Sequence, residues 1–297
     1  MTDMMSWLDP ESAWLAKAGR AKHHIDDLAA KVQEFLAGSF GVVPEQGNQP
    51  GETIYRVQMS KPIPIHFSTM IGDVLHNLRS ALDCAACEMA RCTIGRDLTE
   101  QEEHACEFPI RSKPSELRKF FQHCIRANLY GPQERQAIRA VQPARLHDYL
   151  TETGQIPAHK RTEEVAYDFL TVLNRLSNID KHRRLHVVTC WPDLVYWGSD
   201  GPSKRRWAWG ALPLKNGGIL GHLYANPEHP EPPPSLHHEM ELRIPDPPGA
   251  VSMDVVDLLG EIHRDVTVRV VPRLLGPQLA SRVGEPTYTD DERPDTT

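Results

Sequence analysis

The run that most restricts the fold is "KPIPIHFSTMIGDVLHNLRSALDCAACEMARC", residues 61 to 92. Pro64 and Gly95 bound it, and its apolar residues recur at the spacing of an α-helix. Wound at about 100° per residue, Ile71, Val74, Leu75, Leu78, Leu82, Ala85 and Met89 form one stripe. Other elements have to cover such a stripe, which places this helix in the middle of a bundle. His76, Ser80, Asp83 and Cys87 fall on the opposite side.

The rest of the chain is read around that helix. Residues 10 to 38 carry Trp14, Leu15, Ala18, Ile25, Leu28, Val32 and Phe35 at helical spacing, with Pro10 at the start and Gly38 at the end. Residues 39 to 51 are rich in Gly, Pro and Gln and are expected to be loop, followed by a short strand over "ETIYRVQMS". A loop is expected from 96 to 115, then short helices over "SELRKFFQHCIRA" and "PQERQAIRAVQP". A further helix is expected from about 162 through "VAYDFLTVLNRLSNIDKHR".

Beyond that point the pattern changes. "RLHVVTCWPDLVYW", "RRWAWGALPL", "GGILGHLYA" and "LHHEMELRI" are short β-rich segments separated by Gly, Pro and Asp, the mark of antiparallel hairpins. "NPEHPEPPPS" reads as the tip of one of them, because so many prolines do not fit a central strand. "SMDVVDLLGEIHRDVTVRVVPRLL" closes the fold as a helix, and the acidic "VGEPTYTDDERPDTT" is expected to be a disordered tail. The fold class is therefore α+β. A helical bundle module spans 1–183, a β-rich segment with its closing helix spans 184–282, and the tail spans 283–297.

Charge and cysteine usage exclude some functions. The net charge of −7 opposes broad, non-specific nucleic-acid binding, which needs a surplus of Lys and Arg. A local excess of cations does exist, in Arg111, Lys113, Arg118, Lys119, Arg126, Arg135, Arg139 and Arg145 against Glu116 and Glu134. "SKRRWAW" adds cations beside two Trp residues, a combination that can grip single-stranded nucleic acid. A solvated helix face and a charge-guarded edge strand explain the same residues. There is no signal-peptide pattern at the start and no apolar run long enough to span a bilayer, so the expectation is a cytoplasmic protein with no membrane partner and reduced thiols.

Cys84, Cys87 and Cys92, with His104, Cys106, His123 and Cys124 downstream, raise the question of zinc. Zinc knuckles carry their paired cysteines on a turn, whereas these lie inside a helix, so small residues at a tight helix contact are the expectation and no metal or cofactor is assigned. The chain also carries no phosphate-binding glycine loop, nucleophile elbow or dinucleotide fingerprint.

The polar groups of the central helix are ordered. Arg79 stands one turn before Asp83, and Asp73 one turn before both His76 and Asn77. A second cluster, Asn178, Asp180, Lys181, His182 and Arg183, closes a later helix, where cations also suit the helix dipole. Were the two helices side by side, His76, Arg79 and Asp83 would face Asp180, His182 and Arg183. His titrates near neutral pH and Arg binds phosphate bidentately.

"IGDVLHNLRSALDCAACE", "EFPI" and "LNRLSNIDKHRRLH" together resemble a family of uncharacterised bacterial proteins. Its pattern reads Gly-Asp-x-x-His-Asn-Leu-Arg-Ser-Ala-Leu-Asp-His, then Phe-Pro-Ile, then Asn-x-Asp-Lys-His-Arg. That resemblance covers about 60 to 190 and implies no activity. A second, more distant resemblance is to the HEPN superfamily, helical-bundle proteins many of which are metal-independent ribonucleases acting as dimers. They are marked by Arg, four to six residues, then His. Arg79 takes the first place, but Cys84 stands where both patterns have His.

Two functions follow, with small-anion binding a less favoured third. In the first, the protein binds RNA or cleaves it without metal, as a homodimer. His76, Arg79, Asp83 and His182 are then catalytic, while Asp73, Asn77, Asn178, Asp180, Lys181 and Arg183 bind substrate. In the second, it is a non-catalytic binding or scaffold protein whose motif residues form a structural polar network.

Overall fold

The computed structural model describes residues 12–143, 168–181, 189–196, 206–209, 216–224, 237–244 and 253–276. The fold is α+β, with long helices, two antiparallel sheets and a closing C-terminal helix. Its contacts divide the chain into two compact units, each assembled from several stretches. One comprises Met1–Ala21, His76–Asn174 and Ile262–Thr297; the other comprises Lys22–Leu75 and Arg175–Glu261. The expected acidic tail, the hairpin tip "NPEHPEPPPS", His182 and Arg183 lie outside the described residues.

Helix α1 (Ala13–Ser39) and helix α2 (His66–Ile94) each contribute to both units. In α2 all seven residues of the apolar stripe are fully buried, and so are the neighbouring Ala81, Ala86 and Ala90. The small alanines widen the buried face beyond the stripe that the large residues alone define. Among the described residues no helix is long and apolar enough to cross a membrane.

The unit containing Lys22–Leu75 holds the sheets. Strands β1 (Phe40–Gln46) and β2 (Glu52–Met59) form a hairpin in register Phe40↔Met59 to Gln46↔Thr53. The expected loop over 39–51 is thus mostly strand. Phe40 and Val42 pack on the buried cluster of Tyr55, Val57, Leu220 and Leu223, and that apolar gain outweighs the weak strand propensity of Gly41 and Pro44. Pro44 is tolerated because β1 is an edge strand. The turn closes on Gly51 at φ 75°, and the Glu52 carboxylate folds over Gly47, occupying the space a Cβ would need.

Strands β3 (Thr189–Tyr196), β4 (Arg206–Trp209), β5 (Ile219–Tyr224) and β6 (His237–Arg243) complete the β structure. The sheet order is β1-β2-β5-β4, with β3 and β6 paired separately. This corrects the expected hairpin across "NPEHPEPPPS": the strands flanking it belong to different sheets. β5 finds its partners in β2 and β4, whereas β6 pairs with β3. Asp254 ties β6 to the start of helix α8 (Val255–Arg264), accepting from the Leu242 and Val256 N–H groups at 3.2 and 2.8 Å.

In the other unit, helix α3 (Glu100–Ala105) opens on a capping box between Thr99 and Glu102. Arg96 and the Thr99 main chain hold the Glu102 carboxylate down at a pKa of about 2. Helices α4 (Pro114–Gln122), α5 (Arg126–Leu129) and α6 (Pro132–Ala140) follow, α4 and α6 each beginning on Pro. Helix α7 (Phe169–Lys181) starts where Asp168 accepts from Thr171 N–H at 3.0 Å. After α8 the chain widens into π turns over Asp265–Val270 before resuming α geometry at 271–276. Pro272 lacks an N–H and would crowd the carbonyl four residues back, and the wider turn relieves that conflict.

Candidate functional site

The segment 106–111 has no regular secondary structure and no strand pairs with it among the described residues, yet Cys106, Phe108, Pro109 and Ile110 are buried. Buried peptide groups must be paired, and here side chains do the pairing. Arg126 Nε donates to the Ala105 carbonyl at 3.0 Å, and the Cys87 thiol donates to that of Cys106 at 3.6 Å. The Phe108 N–H donates to Asp83 Oδ1 at 2.9 Å, while the Phe108 carbonyl accepts from Arg79 Nη2 at 2.6 Å. The Arg111 N–H donates to Gln142 Oε1 at 2.9 Å.

Arg79 and Asp83 thus hold both main-chain groups of one fully buried residue. They also pair with each other at 3.1 Å, the i,i+4 contact expected from their spacing. The Arg79 side chain is 15% exposed, and its Nη1 is buried without a hydrogen-bond partner among the described residues. A guanidinium used in this way stabilises the docked segment through a charge-assisted hydrogen bond. The Phe-Pro-Ile element and the Arg-Ser-Ala-Leu-Asp motif therefore form one physical unit, with the helix supplying the donor and acceptor that an adjacent strand would otherwise provide.

Elsewhere on α2 the motif meets α7. A Cβ built on Gly72 would stand 2.8 Å from Asp180 Oδ1 and 3.1 Å from its Cγ. Gly72 is the residue that lets the Asp180 carboxylate approach this close. Asp73, Asn178 and Lys181 are exposed nearby in sequence, and Asp180 is half-buried. On α2, His76 is exposed and Asn77 half-buried. The structure thus brings Asp83 and Arg79 together around Phe108, and Asp180 against Gly72.

The basic stretch after residue 111 is largely spent on packing. Arg126 reaches Glu107 at 3.1 Å and lies 4.6 Å above the Phe120 ring. Arg135 donates to the Tyr130 and Ala127 carbonyls, and with Arg139 stands over Phe121. Lys113, Arg118 and Lys119 remain exposed; Arg145 lies outside the described residues. An open cleft of about 550 Å³ lined by Glu100, His104, His123, Ile125 and Arg126 includes none of the motif residues.

Among the described residues no three His, Cys, Asp or Glu side chains gather in a group able to hold a metal ion. Instead the cysteines form a short chain with Tyr130. The Cys87 thiol reaches the Cys106 carbonyl, and Cys106 Sγ lies 3.5 Å from the Tyr130 hydroxyl. The neighbouring Cys87 side chain, ahead of the Tyr130 hydroxyl, holds the Cys106 thiol below its ordinary pKa, whereas burial raises Tyr130. At Cys84, too, burial raises the thiol, which works against thiolate chemistry where the resemblance has His.

Compared with protein-family models, curated proteins and solved structures, the chain finds no significant match.

Proposed function

We propose that the protein is a non-catalytic binding or scaffold protein in which Arg79 and Asp83 latch the Phe-Pro-Ile segment to the central helix. The observation that carries this reading is the pairing of Phe108 N–H with Asp83 and of Phe108 C=O with Arg79. An arginine aimed at a main-chain carbonyl and an adjacent carboxylate has its best donor already engaged. A ribonuclease arginine has to offer that donor to a phosphate. Cys84, whose thiol is raised by burial, supplies no substitute for the imidazole.

The exposed Lys113, Arg118 and Lys119 favour a second reading, RNA binding. The resemblance to HEPN proteins extends it to metal-independent cleavage by a bacterial, cytoplasmic homodimer, with His76, His182 and Arg183 joining Arg79. Incubating the full chain with labelled single-stranded RNA in EDTA separates the two. The latch reading predicts no cleavage and a lower melting temperature for Arg79→Ala. Cleavage abolished by Arg79→Ala at unchanged melting temperature would overturn it.

A further inference from the structure

We infer that the open cleft between helix α3 and the α4–α5 corner binds a free α-amino acid, its ammonium on the α3 wall and its carboxylate on the wall opposite. None of the latch residues lines this cleft, so the inference goes beyond the proposed function and stands or falls separately from it. Three observations lead to it.

The first is an unmatched anion. Helix α3 carries three glutamates, and two of them are paired, Glu102 with Arg96 at 2.8 Å and Glu103 with Arg91 at 2.9 Å. Glu100, which lines the cleft, is exposed and has no cation partner among the described residues. One turn on, His104 Nδ1 lies 2.7 Å from the Glu100 main-chain oxygen. A carbonyl only accepts, so Nδ1 carries the hydrogen and the neutral ring keeps Nε2 as an acceptor. A carboxylate and an imidazole lone pair on one wall answer the N–H groups of an ammonium. The second observation is the opposite wall. Arg126 is fixed by its Nε on the Ala105 carbonyl, its Nη2 on Glu107 and its face on the Phe120 ring, and Nη1 takes part in none of these contacts. Glu107 is shared with Arg111 at 3.8 Å, so it does not cancel Arg126 alone. His123 lies on the same wall, and Lys119 stands one turn before it on α4. Both are exposed, and neither has a partner among the described residues. A guanidinium held in this way, with further donors beside it, suits a carboxylate.

The third is charge balance and span. The cleft is lined by one carboxylate and one guanidinium. A simple anion or cation therefore meets repulsion as well as attraction there, whereas a zwitterion meets attraction at both ends. Glu100 opens α3 and Ala105, whose carbonyl holds Arg126, ends it; a helix of that length spans about 7.5 Å along its axis. Two hydrogen bonds of about 2.8 Å leave, within that span, room for the charge separation of an α-amino acid and not for that of a peptide with both ends free. Ala105 and Ile125 offer the ligand's side chain an apolar floor.

The experiment follows the imidazole resonances of the full-length chain, isotope-labelled at histidine, while each standard L-amino acid is titrated to about 10 mM, a range that reaches the weak affinity of an open cleft. The expected result is a saturable shift of the His104 and His123 signals with at least one amino acid. The same compound lacking its α-amino group, or carrying its carboxylate as a methyl ester, should bind at least about tenfold more weakly. Glu100→Gln, a change at an exposed residue, should weaken the amino acid about tenfold and remove its advantage over the deaminated acid, because the α3 wall then no longer repels a lone carboxylate. A merely structural role for Glu100 would leave that preference unchanged. Absence of a saturable shift with every amino acid overturns the proposal. So does equal binding of an amino acid and its deaminated acid to the parent chain, which would mark an adventitious anion only.

Discussion

Replacing Arg79 by Ala removes the donor that reaches the Phe108 carbonyl at 2.6 Å. A hydrogen bond from a charged group contributes about 1.5–3 kcal/mol, and leaving a buried acceptor unpaired costs about 1–3 kcal/mol; the two overlap. The pair with Asp83 adds little, because Asp83 is 35% exposed and solvent screens it, with roughly 0.5 kcal/mol typical of such pairs. Against these losses, the change also removes the buried Nη1, which has no hydrogen-bond partner among the described residues. The net expectation is a loss of about 2–3 kcal/mol, or about 3–5 °C in melting temperature at this chain length. Urea unfolding followed by circular dichroism measures it. Arg79→Lys should lie between, since one ammonium supplies charge without the planar fork. A loss below about 0.5 kcal/mol for Arg79→Ala would refute the latch, because no fully buried carbonyl could then depend on that guanidinium.

Other consequences can be checked independently. Gly72→Ala should fail to yield the roughly 1 kcal/mol that alanine normally gains over glycine inside a helix, because its Cβ would meet Asp180. In an Asp180→Ala background the gain should return, and a double-mutant cycle by urea unfolding would measure that coupling. Glu52, held below its ordinary carboxylate pKa first by the Gln49 N–H and then by His222, should stabilise the β1–β2 turn. Because the folded pKa is depressed, this stabilisation is complete above the unfolded value of 4.5 and is lost as pH falls through the folded one. Thermal unfolding of Glu52→Gln against the parent should converge at low pH and separate above pH 5.

Much of the α-helical frame was legible. The stripe from Ile71 to Met89 is buried as its spacing required, since helix burial follows a local period. The i,i+4 relation of Arg79 and Asp83 was legible for the same reason. Their third partner was not, because every residue carries a peptide group and no side-chain pattern marks the one at Phe108. Helix α3 left a sequence signal that was passed over: Thr99 and Glu102 have capping-box spacing. Gly72, a glycine inside a helix, was likewise a sign of close approach. The partners of β5 and β6 had no local signal, since Tyr224 pairs with Glu52 across most of the chain. His222 meeting the Glu52 carboxylate is illegible on the same grounds.

The most direct test of the latch is amide hydrogen exchange at Phe108, a residue with no strand partner among the described residues. With its N–H bound to Asp83 at 2.9 Å, exchange in the parent should be slowed by orders of magnitude, and Asp83→Ala should remove most of that protection while helix α2 amides away from the site keep theirs. A Phe108 amide that exchanges in the parent at the rate of an unstructured chain would contradict the account.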